Sequence, residues 1–351
     1  MARTLFIVQG EGRGHLSQSV ALKEHLEEAG HSIEAVYVGG HPSRKIPDYY
    51  QDLFGGKLRP FSSPWFLRTP NKKGIYVGRT IGYNLINSAA YFRSIAMIRK
   101  EIDAIQPDVI FNFYELLGAL AMKKTASGIR KIGLGHHFYL HLKSSLCRQR
   151  PVWHRALLRM HTQMIIKSCN RVLALSYRKE DGSDSIRVVP PLVRREFRDM
   201  SYVAGDRYLV YLLQEGFFYD LVQLARNMPG FRVDLFTSLK PDMEIPEGFR
   251  LHPFDAKNFS NLMASCRGLI STAGFDTAAE AACQGIPLAV IPTQNHLEQK
   301  CNGADIQASG IGICVSKIDQ GILEQMDAKD CSEYRAWVNL AGEMIIKYMK
   351  E

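Results

Sequence analysis

Two glycine turns in this chain of 351 residues carry side chains that can do chemistry. The first is Gly10-Glu11-Gly12-Arg13-Gly14-His15, set between the apolar run Leu5–Val8 and a helical pattern from Leu16 to Ala29. A glycine-rich turn between strand and helix lets backbone N–H groups approach a ligand closely. His15 falls in the first helical turn, where the dipole favours a neutral imidazole. Such a ring can take a proton from a substrate hydroxyl; the plainer alternative is a histidine that only caps the turn. The turn is not GxGxxG, because its third glycine comes one position early, and the second strand, ending Val36-Tyr37-Val38-Gly39-Gly40, has no acid for a ribose. It also lacks the GK[ST] of a P-loop. Nicotinamide chemistry and P-loop ATPase activity are therefore disfavoured.

The second turn is Ser271-Thr272-Ala273-Gly274-Phe275-Asp276-Thr277, followed by Glu280 and closed by Gly285-Ile286-Pro287. N–H groups around Gly274–Asp276 can hold a diphosphate without a metal. Glu280, about one turn inside, can accept hydrogen bonds from ribose hydroxyls. Thr293-Gln294-Asn295-His296-Leu297-Glu298-Gln299 then clusters polar groups where a sugar can sit. Against this stands a purely structural alternative: Thr277-x-x-Glu280 reads as a capping box. Asp276 would repel a diphosphate, so a capping role is expected for it.

The elements that must position these turns read as α/β. Apolar runs at 5–8, 33–38, 109–113, 131–134, 171–176 and 187–189 alternate with helical patterns, which implies a parallel sheet covered on both faces. Pro190-Pro191 opens a polar, charged stretch to about Asp206, read as a linker. The alternation restarts at 208–213, 231–236, 268–271 and 288–291. Two Rossmann-like parallel-sheet domains are expected, 1–195 and 196–351, with a cleft between them and ligands at the strand carboxyl ends.

The C-terminal segment resembles the donor-binding signature of the GT-B glycosyltransferases. It is similar both to the lipid II-forming N-acetylglucosaminyltransferases and to the plant-type nucleotide-sugar transferases. Gly274 through Glu280 matches their glycine–helix–glutamate element, and Glu298-Gln299 their pair that holds donor-sugar hydroxyls. Gly12-Arg13-Gly14-His15 resembles their N-terminal glycine-histidine turn, whose histidine is the base in the plant-type enzymes. The resemblance implies a C-terminal domain binding a nucleotide sugar, with uridine as the expected base, through Gln214, Gly216, Thr272, Gly274, Phe275, Thr277, Glu280, Gln294, Glu298 and Gln299. It implies an acceptor on the N-terminal domain, near Gly12, Arg13, Gly14, His136 and His137. In the plant-type enzymes an acid late in the N-terminal domain orients the base; Glu115 is the candidate here, a helix-start glutamate being the alternative. Two departures stand out. Thr272 replaces a diphosphate-binding histidine, and Leu213-Gln214-Glu215-Gly216 is poorer in glycine than the family's donor loop.

The expected reaction is an inverting glycosyl transfer with no metal or other cofactor. His137 and His141 are four apart but have no carboxylate or cysteine nearby, so a metal site is disfavoured, and no Asp-x-Asp occurs. A sugar-nucleotide 2-epimerase and a non-catalytic nucleotide-sugar binding protein are the rival readings.

Charge and composition bound the partners. Lys plus Arg is 44 against 35 Asp plus Glu, a net +9, and no acid occurs from Leu53 to Lys100 or from Leu116 to Lys179. That field points to an anionic partner. Pro64-Trp65-Phe66-Leu67-Arg68 and Trp153-His154-Arg155 mix aromatics with bases, as segments docking on anionic membranes do. A lipid-linked or membrane-proximal acceptor hydroxyl is therefore expected; nucleic acid is not, for want of a recognised motif. Seven scattered cysteines without CxxC suggest free thiols, and no run approaches the ~20 apolar residues of a membrane span. A cytoplasmic protein is expected, peripheral at the inner face of the membrane.

Overall fold

The computed structural model describes residues 1–351 except 44, 66, 68–76, 144–145, 147–151, 213–215, 238–242 and 294–295, and the side chains of 77, 153, 154 and 297. Gln214, Gln294 and the aromatic-basic stretches around Phe66-Arg68 and Trp153-His154 thus lie outside the described residues. The chain forms two units, the first Met1–Thr69, Ile75–Arg194 and Asn339–Glu351, the second spanning Arg195–Val338.

In the first unit β1 (Arg3–Gln9) leads through α1 (Gly14–Glu28) to β2 (Ser32–Gly40), then α2 (Asp48–Phe54) and β3 (Leu58–Ser62). Helices α3 (Val77–Ile86) and α4 (Ser88–Ile105) precede β4 (Val109–Phe113), α5 (Leu116–Met122), β5 (Arg130–Gly135), α6 (His136–Leu142), α7 (Val152–Ile166), β6 (Arg171–Leu175) and β7 (Ile186–Val189). The seven strands pair in the order β3-β2-β1-β4-β5-β6-β7, all parallel. Leu5, Phe6, Ile7 and Val8 are fully buried, as a strand covered on both faces requires. Phe6 meets Phe111 and Phe113 edge to face. Each such side chain contributes about 1.5–3 kcal/mol through burial.

The second unit runs α8 (Arg195–Arg198), β8 (Tyr208–Tyr211), α9 (Phe217–Asn227), β9 (Val233–Phe236), β10 (Phe249–His252), α10 (Ala256–Met263), β11 (Gly268–Thr272), α11 (Phe275–Cys283), β12 (Leu288–Ile291), α12 (Leu297–Ala308), β13 (Ile313–Cys314), α13 (Gln320–Gln325) and α14 (Ser332–Asn339). Its six parallel strands lie in the order β10-β9-β8-β11-β12-β13. The core gathers Val210, Leu221, Val233 and Ile270 among others.

Three expectations need correction. The stretch after Pro190 does contain the boundary between the units, at Arg194 and Arg195, but it is not polar throughout: Leu192, Val193 and Phe197 are buried, and α8 packs on α11. The apolar residues spaced among its charges are what anchor it. The last helix, α15 (Ala341–Lys350), belongs to the first unit rather than the second, with Ile345 and Met349 buried and Gly342 pressed against the His25 ring. Arg130 donates to the Met349 carbonyl at 3.0 Å. Finally, Cys301 is disulfide-bonded, although five other described cysteines are free thiols. Sequence spacing registers only local cysteine pairs, and Cys301 has no cysteine within ten residues.

Candidate active site

Strand order reverses in the first sheet between β1 and β4, so the loops leaving their carboxyl ends diverge and leave a crevice there. Gly10-Glu11-Gly12-Arg13 is the loop after β1. Gly10 donates to the Gly39 carbonyl at 2.7 Å, and a Cβ on Gly10 would stand 2.6 Å from that oxygen. Close approach of β1 and β2 therefore demands glycine at this position. Gly12 and Arg13 are exposed at the mouth of the helix, and Gly14 is half-buried as its first residue.

His15, the second residue of α1, is 8% exposed. Its Nδ1 lies 3.3 Å from the Gln18 side-chain oxygen. The ring faces Tyr114 and His137, with centroids 6.1 Å and 5.4 Å away. Tyr114 and His137 themselves stack at 3.9 Å, and His161 meets the Tyr114 ring at 4.9 Å. Four rings from α1, the β4–α5 connection, α6 and α7 thus form one cluster. Burial, with His137 adding to it, pushes the His161 pKa down to about 4, so that ring is neutral. Tyr114 sits at φ +57°, a conformation rare for an aromatic residue. The Thr162 hydroxyl donates to the Leu158 carbonyl, so the Tyr114 hydroxyl is the donor in its 2.7 Å bond to Thr162.

Glu115 does not reach His15. It caps α5, its carboxylate accepting from the Gly118 N–H and the Ser63 hydroxyl. Asn112 holds its backbone at both ends. Burial raises the carboxyl pKa, opposed by Ser63 and the N–H groups of Gly118 and Leu117. The helix-start alternative is the one observed, because the end of β4 turns this side chain back into its own helix. The two candidate acceptor histidines also part. His136 is buried with Nδ1 donating to the Leu175 carbonyl at 2.9 Å, whereas His137 stands in the ring cluster. His141 meets the Gln163 amide at 2.8 Å.

Beside the glycine loop lies a cavity of about 280 Å³ at the carboxyl ends of β1, β2 and β3. Leu16, Val38, Ile46, Pro47 and Phe61 make its apolar wall, and His41 and Lys45 contribute polar groups.

In the second sheet the order reverses between β8 and β11. Gly216 caps α9 after β8, and Gly274 caps α11 after β11. Both helix starts therefore sit at the switch point. Gly274 donates to the Thr272 carbonyl at 2.6 Å, and Asn302 of α12, fully buried, donates to the Ala273 carbonyl at 3.1 Å. These bonds hold the turn from both sides. A Cβ on Gly274 would meet nothing nearer than 3.9 Å, and its φ is −83°. Neither packing nor backbone needs a glycine here, so its effect is to leave room beside the helix start.

Because α11 begins at Phe275, Thr277 is its third residue and not an N-cap. The capping box with Glu280 is thereby excluded, and Glu280 is a buried residue of the second turn. Asp276, likewise, is a first-turn residue rather than the cap. Thr272 ends β11 and is buried. In α12 the Gln299 amide oxygen accepts from the Thr293 N–H at 2.8 Å, and the Gln299 N–H donates to His296 Nδ1 at 3.3 Å. Gln299 thus ties the loop after β12 to its helix, with Glu298 half-buried in the same first turn. Gln18, Tyr114, His161 and Asn302 were not singled out by sequence. Only Gln18 carried a signal, three residues after His15 on one helix face.

The same architecture recurs in known proteins. A family model described as Glycosyl transferase family 1 matches residues 2–329. A protein of Methanosarcina acetivorans described as an uncharacterised glycosyltransferase is 23% identical over 345 residues, covering 88% of this chain and 82% of its own. One of Methanosarcina mazei, described likewise, is 23% identical over 346 residues, covering 90% and 86%. Among solved structures, the glycotransferase of kitacinnamycin superimposes with a TM-score of 0.66 at 16% identity, covering 99% of each chain. A UDP-glucosyltransferase from Polygonum tinctorium gives 0.65 at 14% identity over 100% of this chain and 98% of that one. MurG of Acinetobacter baumannii gives 0.61 at 12% identity over 100% and 99%. With its two parallel sheets and a family match over most of its length, the chain belongs to glycosyl transferase family 1 and is a glycosyltransferase of the GT-B fold.

Proposed function

We propose that the chain moves a sugar from a nucleotide diphosphate sugar to an acceptor hydroxyl, with inversion at the anomeric carbon and no metal requirement. The observation that carries this reading is His15, a nearly buried imidazole in the first turn of α1 at the switch point of its sheet. His15 takes the acceptor proton as the acceptor oxygen attacks the anomeric carbon. The new C–O bond forms, the bond to the diphosphate breaks, and the nucleoside diphosphate departs. A single displacement of this kind inverts the centre.

The charge on the leaving diphosphate is met by N–H groups at the start of α11, around Gly274, Phe275 and Thr277, with Thr272 beside them and the start of α9 at Gly216. Preorganised backbone dipoles do the work a divalent cation would otherwise do. Glu280 accepts from ribose hydroxyls, and Glu298 and Gln299 hold the sugar. The base is uridine, in keeping with the UDP-glucosyltransferase among the structural neighbours.

On the acceptor side, Gly12, Arg13, Gly14 and His137 surround His15, and the adjoining apolar cavity accommodates a ring or a short chain. The first unit also exposes Ile81 (56%), Leu85 (68%), Ile86 (84%) and Phe92 (70%) on α3 and α4, alongside exposed Arg79, Arg93, Arg99 and Lys100. Exposed apolar side chains flanked by bases suit an anionic lipid surface. The acceptor is accordingly lipid-linked or held close to a membrane. No helix among the described residues is long and apolar enough to cross one.

A thermal-shift panel with UDP, dTDP, GDP, ATP and NAD on wild type and Glu280→Ala tests the donor side. A ligand at 100 times its dissociation constant stabilises by about 2.7 kcal/mol. The expected result is a shift with UDP, in EDTA as well as without it, that the variant loses. No shift with any sugar-type nucleotide would overturn the reading.

A further inference from the structure

We infer that Gln18 is the positioning residue that sets the tautomer of His15, a role that rests on His15 being the base. The two side chains lie three residues apart on α1, and both are buried, Gln18 to 2% and His15 to 8% exposure. Nδ1 of His15 stands 3.3 Å from the Gln18 amide oxygen. A carbonyl oxygen only accepts, so Nδ1 carries the proton of the neutral ring. The lone pair is then on Nε2, and Nε2 is the nitrogen that can take a proton from an acceptor hydroxyl. Which ring nitrogen is basic is decided by the bond the other one makes.

Gln18 does this without a charge. The nearest carboxylate in sequence to the β4 turn, Glu115, is spent on the Gly118 N–H and the Ser63 hydroxyl. Among the described residues, the titratable groups around the ring include Tyr114 and His137, with His161 behind Tyr114, and Glu11 and Arg13 stand in the preceding loop. A carboxylate partner would both fix the tautomer and stabilise the imidazolium; an amide fixes the tautomer alone. The stacked ring of Tyr114 and the tilted ring of His137 limit rotation of His15, so the amide's task is to choose between nitrogens and not to hold the ring in place. The proton taken from the acceptor then rests on Nε2, next to the positive end of α1.

The test is ¹⁵N NMR of the full chain labelled at histidine, with the His15 signal identified by its loss in His15→Gln. Wild type is expected to show Nδ1 protonated and Nε2 bare. Gln18→Met, close in volume, should lose that preference and lower kcat at least tenfold with a UDP-sugar donor, leaving KM within twofold. Gln18→Glu keeps an acceptor and should retain the tautomer while raising the His15 titration midpoint by about 1–3 pH units, as an opposite charge within 4–6 Å does. The alkaline shift should reappear in the pH profile of kcat. A wild-type ring protonated at Nε2, or a tautomer unchanged in Gln18→Met, overturns the role of Gln18. If His15→Gln keeps full transferase activity, the base assignment fails instead, and the NMR result still stands on its own.

Discussion

The Tyr114 ring lies 3.9 Å from that of His137, within 15° of parallel, on a backbone at φ +57°. That conformation costs an aromatic residue about 1–3 kcal/mol, so surrounding contacts must hold it. The hydroxyl bond to Thr162 on α7 is one of them. The arrangement turns the tyrosine away from the path of β4 and lays it across the histidines of three helices.

Tyr114→Phe keeps the stack and removes the bond to Thr162. Stability should fall by about 1 kcal/mol, seen as a lower urea midpoint at unchanged slope. An unchanged midpoint would show that the bond does not hold the turn.

Gly10 and Gly274 should respond to alanine in opposite ways. Gly10→Ala forces a Cβ within 2.6 Å of the Gly39 oxygen, and overpacking of this kind costs about 1–3 kcal/mol. At Gly274 the nearest atom is 3.9 Å away and φ is −83°, so the fold should tolerate alanine. Its cost should appear as a donor KM raised roughly tenfold, about 1.4 kcal/mol of binding. Melting curves and donor saturation curves on both variants check the pair.

Glu115 has its pKa raised by burial. The folded state therefore favours the protonated carboxyl, and this group's contribution to stability declines as pH rises from the ordinary glutamate range through the raised value. Glu115→Gln does not titrate. The stability of wild type relative to this variant should fall with rising pH across that window, by urea unfolding at a series of pH values. A constant difference would contradict the assignment.

His161 works in the other direction. Its pKa is lowered to about 4 by burial and by His137, so the folded state favours the neutral ring. The stability it contributes is complete near pH 7 and is lost as pH falls from about 6.5 towards 4. The loss is roughly 3 kcal/mol at most. In His161→Phe that acid-side loss should be absent, which unfolding curves at pH 7 and pH 4.5 would reveal.

How much of this was legible depended on where each residue sits. Central strands such as β4, whose Val109–Phe113 is buried at every position and apolar at all but Asn112, announce themselves. The three strands that went unrecognised, β3, β10 and β13, are all edges of their sheets. They bury few side chains, and β3 even contains Arg59 and Pro60. An edge has one neighbour and needs no apolar run. The glycine-histidine and glycine-glutamate turns were readable because strand, glycine and helix follow in order. The left-handed Tyr114 was not, since nothing in an aromatic residue signals φ above zero. Nor was the return of Ala341–Lys350 to the first unit, which depends on a fit against α1 that no local pattern records.

The most direct test of the account is turnover of a UDP-sugar with an acceptor by wild type and His15→Gln, with the anomeric configuration of the product read by NMR. General-base catalysis contributes about 10²–10⁴-fold. The account predicts an inverted product and a kcat reduced by that order in the variant, with donor binding intact. Retention of configuration, or a variant as fast as wild type, would contradict it.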